Sequence, residues 1–225
     1  MLFSRSDKRE DMLFPNIYGC DDIKRLLIMA LESNHICSIL LTGPPASAKT
    51  LFLQSLMKLK DSFFIDCRNA TKSGLIDYVF EYKPRYLLLD ELDKLSRKDQ
   101  AFLLNLMETG IVSETKYNKT RSTETKTSVF VTSNNIEKII APLQSRFFIV
   151  RLELYTYEQF YEITVRLLSS NHYNVDEEIA KVIAEAVWKT SRDIRDSMKI
   201  ARMAKSVEDV DWLVTTFLGP LGIQR

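Results

Sequence analysis

The sequence predicts an α/β protein in which a base domain with a parallel β-sheet is followed by a small all-helical lid. Three observations carry this prediction. Apolar runs of strand length alternate with helical patterns through the first 154 residues, a lysine-containing loop joins the first run to a helix, and after residue 154 the apolar positions recur with a helical period. We therefore predict a base over residues 1–154 and a lid over residues 155–225.

The predicted sheet is built from five short apolar runs, each bounded by Gly, Pro, Asn or charged residues. They are Ile36–Thr42, Ser62–Asp66, Tyr86–Asp90, Ser128–Thr132 and Phe147–Leu154. Helical patterns separate them at 50–59, 74–82 and 97–107. This alternation favours a parallel sheet covered by helices on both faces.

The predicted lid contains only amphipathic helices. Apolar side chains recur at helical spacing around Phe160 and Ile163, around Ile179 and Ile183, and again after Val210. Such helices pack as a small bundle.

Composition excludes several other classes of protein. The chain has 31 basic and 30 acidic residues, a net charge of +1, which argues against a broad basic coat for nucleic acid. Cys20, Cys37 and Cys67 contain no CxxC pair, which argues against a zinc site or a disulfide framework. The charged start and the lack of an apolar run of about 20 residues predict a cytoplasmic protein without a membrane segment.

The loop after the first predicted strand has the strand–loop–helix context of a phosphate-binding P-loop. Backbone N–H groups of such a loop surround phosphate oxygens, Lys49 would reach the β- and γ-phosphates of ATP, and Thr50 would ligate Mg²⁺. Ala48 and Ala46 stand where glycines are usual, so both positions must accept a Cβ. The loop and the start of its helix comprise Gly43, Pro44, Pro45, Ala46, Ser47, Ala48, Lys49, Thr50 and Leu51.

The third predicted strand ends in two carboxylates. Asp90 and Glu91 follow four apolar residues, and the carboxyl ends of strands in α/β sheets face the ligand crevice. We expect Asp90 to hold Mg²⁺ and Glu91 to polarise a water molecule towards the γ-phosphate.

With these motifs in this order, the chain resembles AAA+ ATPases over nearly its whole length. The resemblance implies a sensor role for Asn134, an arginine finger at Arg146 that acts on the nucleotide of the next subunit, and a γ-phosphate contact from the lid residue Arg195. It also implies that the backbone of Ile17 and Tyr18 contacts adenine, and that the protein forms a homo-oligomeric ring, hexameric in many members.

A charged, Thr-rich insertion over residues 110–127 predicts a β-hairpin. A hairpin before the sensor strand resembles the branch that contains RuvB, the MCM helicases and MoxR-type ATPases. Its basic residues Lys116, Lys119 and Arg121 could hold phosphates of DNA. The segment around Arg146 is most similar to RuvB, whereas Ala48-Lys49 is similar to the MCM phosphate loop.

We therefore expect an ATP-hydrolysing motor that remodels DNA, similar to RuvB-type branch-migration helicases. Two alternatives remain open at this stage. One is a MoxR-like ATPase that remodels proteins. The other is an assembly switch that binds ATP but hydrolyses it weakly because of Ala46 and Ala48.

Overall fold

A computed structural model describes residues 10, 12–15, 17, 19–116, 119–170 and 173–219. The chain forms two compact units, Met1–Glu153 and Leu154–Arg225. In chain order, the elements of the first unit are α1 (Asp21–Glu32), β1 (Ile39–Thr42), α2 (Lys49–Leu56), β2 (Ser62–Asp66), α3 (Lys72–Tyr82), β3 (Tyr86–Asp90), α4 (Arg97–Thr109), β4 (Ile111–Lys116), β5 (Lys119–Glu124), β6 (Ser128–Ser133), α5 (Ala141–Gln144) and β7 (Phe148–Arg151), with short 3₁₀ turns at Leu92–Lys94 and Ile136–Lys138.

Five strands form one sheet in the order β2-β3-β6-β1-β7. Every neighbouring pair is parallel. The register pairs Asp66 with Asp90, and pairs Thr42 with both Ser133 and Arg151. All five strands therefore end at one edge, which we call the carboxyl edge, and all begin at the opposite, amino edge.

Alternating strand residues face two separate hydrophobic layers. Leu87, Leu89 and Val129 belong to one cluster, which includes residues of α3 and α4. Leu88 and Phe130 belong to the other, which includes residues of α1 and α2. The prediction of a parallel sheet with helices on both faces is therefore confirmed.

The strand ends differ slightly from the predicted ones at β1. It begins at Ile39 rather than at residue 36. The backbone N–H of Cys37 donates to the Ser128 hydroxyl oxygen (3.2 Å) instead of to a strand carbonyl, so the ladder starts after it.

All regular elements among the described residues of the second unit are helices. Its elements are α6 (Tyr157–Leu168), α7 (Glu177–Trp188), α8 (Ile194–Ala201), α9 (Val207–Leu213) and a π-helical turn at Val214–Leu218. Phe160, Ile183 and Val187 are fully buried in its core. Thr156 and Ser206 begin α6 and α9 with capping boxes, which satisfy N–H groups of the first turn. Within the parts of the chain that the structure describes, no helix has the length and apolar character of a membrane span.

Candidate active site

The loop between β1 and α2 lies at the carboxyl edge and approaches its neighbours closely. The Gly43 N–H donates to the Ser133 carbonyl at the end of β6 (3.3 Å). A Cβ added to Gly43 would lie 2.1 Å from the carbonyl oxygen of Leu152. Only glycine fits at this position, because the loop enters through a gap between two strand ends.

Two alanines of this loop adopt left-handed backbone conformations. Ala46 has a φ of 65° and Ala48 a φ of 62°. A Cβ is disfavoured there, and a non-glycine residue in this region costs about 1–3 kcal/mol. As expected, both positions accept a Cβ, but they do so in a backbone conformation that glycine adopts with less strain.

The Lys49 ammonium is held by the loop itself. It is 6% exposed. Its Nζ donates to the carbonyls of Gly43 (2.9 Å) and Pro44 (2.6 Å) and to the hydroxyl of Ser47 (3.1 Å). The loop therefore curls around a positive charge at the first residue of α2, where the N-terminal helix dipole also favours an anion.

Thr50 and Asp90 form the acidic half of the site. The Thr50 hydroxyl lies 3.2 Å from each Asp90 carboxylate oxygen. Thr132, on β6, also donates to Asp90. Asp90 is only 7% exposed, so its carboxylate loses most of its hydration. Hydrogen bonds from the Thr50 and Thr132 hydroxyls replace part of that hydration.

Glu91 follows in a left-handed conformation (φ 54°), which turns the chain away from β3. Its backbone N–H donates to the Thr132 hydroxyl oxygen (2.9 Å). One carboxylate oxygen accepts from the Asn134 side-chain amide (3.4 Å), and the other lies 3.5 Å from the Arg68 Nε. Glu91, predicted from the strand end, and Asn134, implied by the AAA+ resemblance, are therefore neighbours.

Two buried residues, Asp93 and Cys67, contact the backbone of this site. Asp93 has a side chain that is 1% exposed and accepts the Asn134 N–H (2.9 Å). Cys67 donates its N–H to the Asp90 carbonyl (2.9 Å). Burial, together with the nearby carboxylates, raises the pKa of the Cys67 thiol to about 12, so it stays neutral and unreactive.

Thr132, Arg68 and Asp93 were not identified from the sequence. Arg68 also donates to both Asp66 carboxylate oxygens (3.0 Å each), and this hydrogen bonding lowers the pKa of Asp66. Arg68 and Thr132 left a usable signal, because Asp66 and Thr132 each end a predicted strand and so lie at the edge of the sheet that carries Asp90 and Glu91.

A cavity of about 490 Å³ opens at the carboxyl edge beside the loop. It is lined by Gly43, Pro44 and Asn134 and by residues 135–137 and 151–153. Its volume is within the range of ligand sites.

Arg146 lies at the opposite end of the sheet. Phe148, two residues later, pairs with Ile39 at the start of β1, whereas the loop follows the end of β1. The strand alone separates these ends by about 10 Å. Arg146 pairs with Glu108 and contacts the Ser145 hydroxyl (3.2 Å), and its side chain is 43% exposed. The sheet therefore keeps Arg146 away from the loop of its own chain.

The remaining predicted residues are distributed as follows. Arg195 is the second residue of α8 and donates to both carboxylate oxygens of Asp193 (3.1 and 3.0 Å). Burial works to raise the pKa of Asp193, but the hydrogen bonds from Arg195 outweigh it and leave the pKa below its usual value. Ile17 is buried in the core, and Tyr18 lies outside the described residues.

Arg192, three residues before Arg195, does not belong to α8. This residue precedes the N-cap of α8, has a φ of 55° and places its guanidinium 4.7 Å from the Trp188 ring centroid.

The hairpin is present, but Arg121 is used within the protein. It forms ion pairs with Asp77 on α3 and with Glu114 on the facing strand. Its guanidinium lies 4.5 Å from the Phe80 ring centroid. Arg121 therefore anchors the hairpin to α3, while the side chains of Lys116 and Lys119 lie outside the described residues.

The donor set fits Mg²⁺ and a nucleoside triphosphate. Mg²⁺ prefers a few oxygen ligands completed by water and substrate phosphates, and Thr50 and Asp90 supply one hydroxyl and one carboxylate. Among the described residues, no cluster of three or more His, Cys, Asp or Glu side chains offers a site for a protein-only metal cage.

A family comparison decides the classification. The model of the ATPase family associated with various cellular activities (AAA) matches residues 39–153, just over half of the 225 residues. The chain belongs to the AAA ATPase family. The match contains the loop, Asp90, Glu91, Asn134 and Arg146.

Several known proteins resemble this chain in sequence or in fold. The zygotic DNA replication licensing factor mcm6-A of Xenopus laevis is 23% identical over 91% of this chain and 30% of its own length. The licensing factor MCM4 of Oryza sativa subsp. japonica is 28% identical over 60% of this chain and 19% of its own. The chain thus spans less than a third of the length of these curated relatives.

Solved structures of RuvB share the fold of this AAA protein. A RuvB mutant of Thermotoga maritima has a TM-score of 0.65 and 19% identity, covering 91% of this chain and 67% of the mutant. The Thermotoga maritima RuvB Holliday junction branch migration motor has a TM-score of 0.64 and 18% identity, covering 90% of this chain and 72% of the motor. The predicted resemblance to RuvB and MCM proteins is confirmed.

Proposed function

We propose that this AAA protein binds and hydrolyses Mg-ATP and couples hydrolysis to the remodelling of DNA within an oligomeric ring. One observation carries the ATPase proposal. The ammonium of Lys49, the Thr50–Asp90 pair and the Glu91–Asn134 pair lie on three neighbouring strand ends of one sheet. These are the charges and hydrogen-bonding groups that phosphoryl transfer needs.

In this proposal, Lys49 exchanges its loop carbonyls for phosphate oxygens, and Thr50 and Asp90 hold Mg²⁺. The bound Mg²⁺ neutralises charge on the phosphates. Glu91 accepts a proton from the attacking water, and the Asn134 amide keeps the Glu91 carboxylate oriented. Since Glu91 is paired on both oxygens, one pairing must loosen before it can accept a proton.

Arg146 acts on the nucleotide of an adjacent subunit in this scheme. Its position at the amino edge separates it from its own loop, and its guanidinium keeps a permanent charge for a phosphate. Arg195 would act from the lid. Hydrolysis in this scheme therefore requires at least two adjacent subunits.

Support for DNA as the substrate comes from the relatives and from the hairpin. The similar proteins are described as DNA replication licensing factors and a Holliday junction motor. Arg121 is already paired with Asp77 and Glu114. We therefore assign the phosphate contacts of the hairpin to Lys116 and Lys119.

The strained Ala46 and Ala48 favour a second candidate, an ATP-dependent assembly switch with slow turnover. A loop whose alanines resist their conformation closes around phosphates less readily than one with glycines.

An ATPase assay with and without DNA tests these candidates together. We expect Mg-ATP turnover that DNA stimulates and that Lys49→Ala abolishes, with ATP affinity lost in the variant. Turnover that DNA leaves unchanged would contradict the DNA role. Tight binding without turnover would favour the switch, and unchanged affinity in Lys49→Ala would contradict the nucleotide site.

A further inference from the structure

Helix α3 presents three different faces. Leu75, Ile76 and Val79 face the core. Ser73, Asp77 and Phe80 contact the hairpin residues Glu114 and Arg121. Tyr78 and Tyr82 form the third face, and neither the core nor the hairpin covers it.

The third face is an aromatic stack. The Phe63 ring on β2 lies 4.4 Å from that of Tyr78 and 5.4 Å from that of Tyr82, the latter nearly parallel at 13°. The two tyrosines are 5.8 Å apart. Tyr78 is 42% exposed and Tyr82 55% exposed, although aromatic rings of this size are usually buried. The stack lies along β2, which is an edge strand of the sheet.

Basic residues gather at the amino edge beside this stack. The Asp61 carbonyl accepts the N–H groups of Arg85 (3.0 Å) and Tyr86 (3.2 Å), which joins the segment before β2 to the segment before β3. The Thr127 hydroxyl donates to the Pro84 carbonyl (2.7 Å), which adds the segment before β6. These three segments carry five exposed cations, Lys58, Lys60, Lys83, Arg85 and Lys126.

Few acidic residues oppose these cations. Asp61 and Glu81 are the exposed acidic residues of the segments 58–61 and 81–86, and Glu124 is exposed two residues before Lys126. The Tyr82 hydroxyl donates to Glu81, and the five cations outnumber these three carboxylates by two. The local excess of positive charge contrasts with the chain as a whole, whose net charge is +1. An anion is therefore the complementary ligand for this part of the surface.

We propose that the stack and the basic residues around it form a binding site for single-stranded nucleic acid. Unpaired bases stack on Tyr78 and Tyr82, and the five cations hold the phosphates. Aromatic stacking beside a cationic track is how proteins bind single strands without reading their sequence. This site rests on the proposed DNA function and extends it, because the hairpin that packs on α3 leads into β6 at the same amino edge.

The full chain without nucleotide tests this proposal. The probe is a fluorescein-labelled oligothymidylate of about 16 nucleotides, a length that a single-strand site of this type covers. Anisotropy titrations at several salt concentrations give the affinity and its salt dependence. The variants are Tyr78→Ala/Tyr82→Ala, the ring-preserving Tyr78→Phe/Tyr82→Phe, Lys60→Ala and Arg85→Ala.

We expect the double alanine variant to weaken binding at least about fivefold, and the double phenylalanine variant to bind like the wild type. Lys60→Ala and Arg85→Ala should each reduce the salt slope by about 0.7, the value for one lost phosphate contact on a single strand. Trp212→Ala and Lys189→Ala remove an exposed ring and an exposed cation from the second unit and should change nothing. Circular dichroism confirms that each variant is folded.

Three outcomes would overturn the site. They are a wild type that does not bind the oligonucleotide, an unchanged affinity in Tyr78→Ala/Tyr82→Ala, and equal affinity for a duplex, whose bases are not free to stack. A change in sedimentation with unchanged affinity would mean that the aromatic face joins copies of the chain. The ATPase proposal is judged separately, since the titration contains no nucleotide.

Discussion

The Asn134 side-chain amide donates to the Glu91 carboxylate across the ends of β6 and β3, at 3.4 Å. The other Glu91 oxygen lies 3.5 Å from the Arg68 Nε. Each oxygen of the carboxylate that we propose as the base therefore has its own neighbour. The amide can orient it, whereas the guanidinium occupies an oxygen that the attacking water needs.

Replacing Arg68 should release this oxygen. For Arg68→Ala we expect ATP turnover to rise by up to about fivefold, since an exposed ion pair holds the carboxylate only weakly. NMR titration should show the Asp66 pKa rising towards its usual value, because its hydrogen bonds from Arg68 are lost. A fall in turnover with unchanged ATP affinity would instead mean that Arg68 assists the reaction.

Relieving the strained loop should stabilise the protein. Ala48→Gly removes a Cβ at a φ of 62°, and we expect the free energy of unfolding to rise by about 1 kcal/mol in denaturant titrations. Ala101→Gly, at an exposed position of α4, is the control and should cost about 1 kcal/mol. A loss of stability in both variants would contradict strain at Ala48.

Arg146 should act between subunits. Arg146→Ala protein should bind ATP yet lose about 10³–10⁵ in turnover, the effect of removing a charge that stabilises the transition state. Mixing it with Lys49→Ala protein should restore part of the activity, because a Lys49→Ala subunit can still lend its Arg146 to a neighbour. The mixture is assayed at concentrations where sedimentation shows assembly. Assembled mixtures that stay inactive would contradict this role.

The lid contains a hydroxyl without a hydrogen-bond partner among the described residues. Thr164 is fully buried on α6, and its Oγ1 makes no hydrogen bond there. Thr164→Val keeps the shape and removes the buried polar group, so thermal and denaturant unfolding should show a gain of about 1 kcal/mol. The control Thr190→Val loses a hydroxyl that donates to the Ala186 carbonyl (3.0 Å) and should not stabilise. Equal effects of the two changes would refute the argument.

Local patterns account for the parts of the fold that were predicted. Strand length, charged boundaries and the order of elements identify the sheet, and parallel pairing explains why the strand ends at Asp90 and Ser133 lie at the same edge. The contacts that were not predicted join residues far apart in the sequence. Arg121 reaches Asp77 through the packing of the hairpin on α3, and Thr132 reaches Asp90 only because β6 lies beside β3. No periodicity encodes such pairings.

Steady-state turnover of Glu91→Gln tests the central proposal most directly. The amide keeps the shape of the side chain but cannot accept a proton from water, so turnover should fall about 10²–10⁴-fold. Affinity for a fluorescent ATP analogue should remain that of the wild type, and the exposed lid variant Glu178→Gln should hydrolyse ATP normally. Hydrolysis by Glu91→Gln at the wild-type rate would contradict the proposed site.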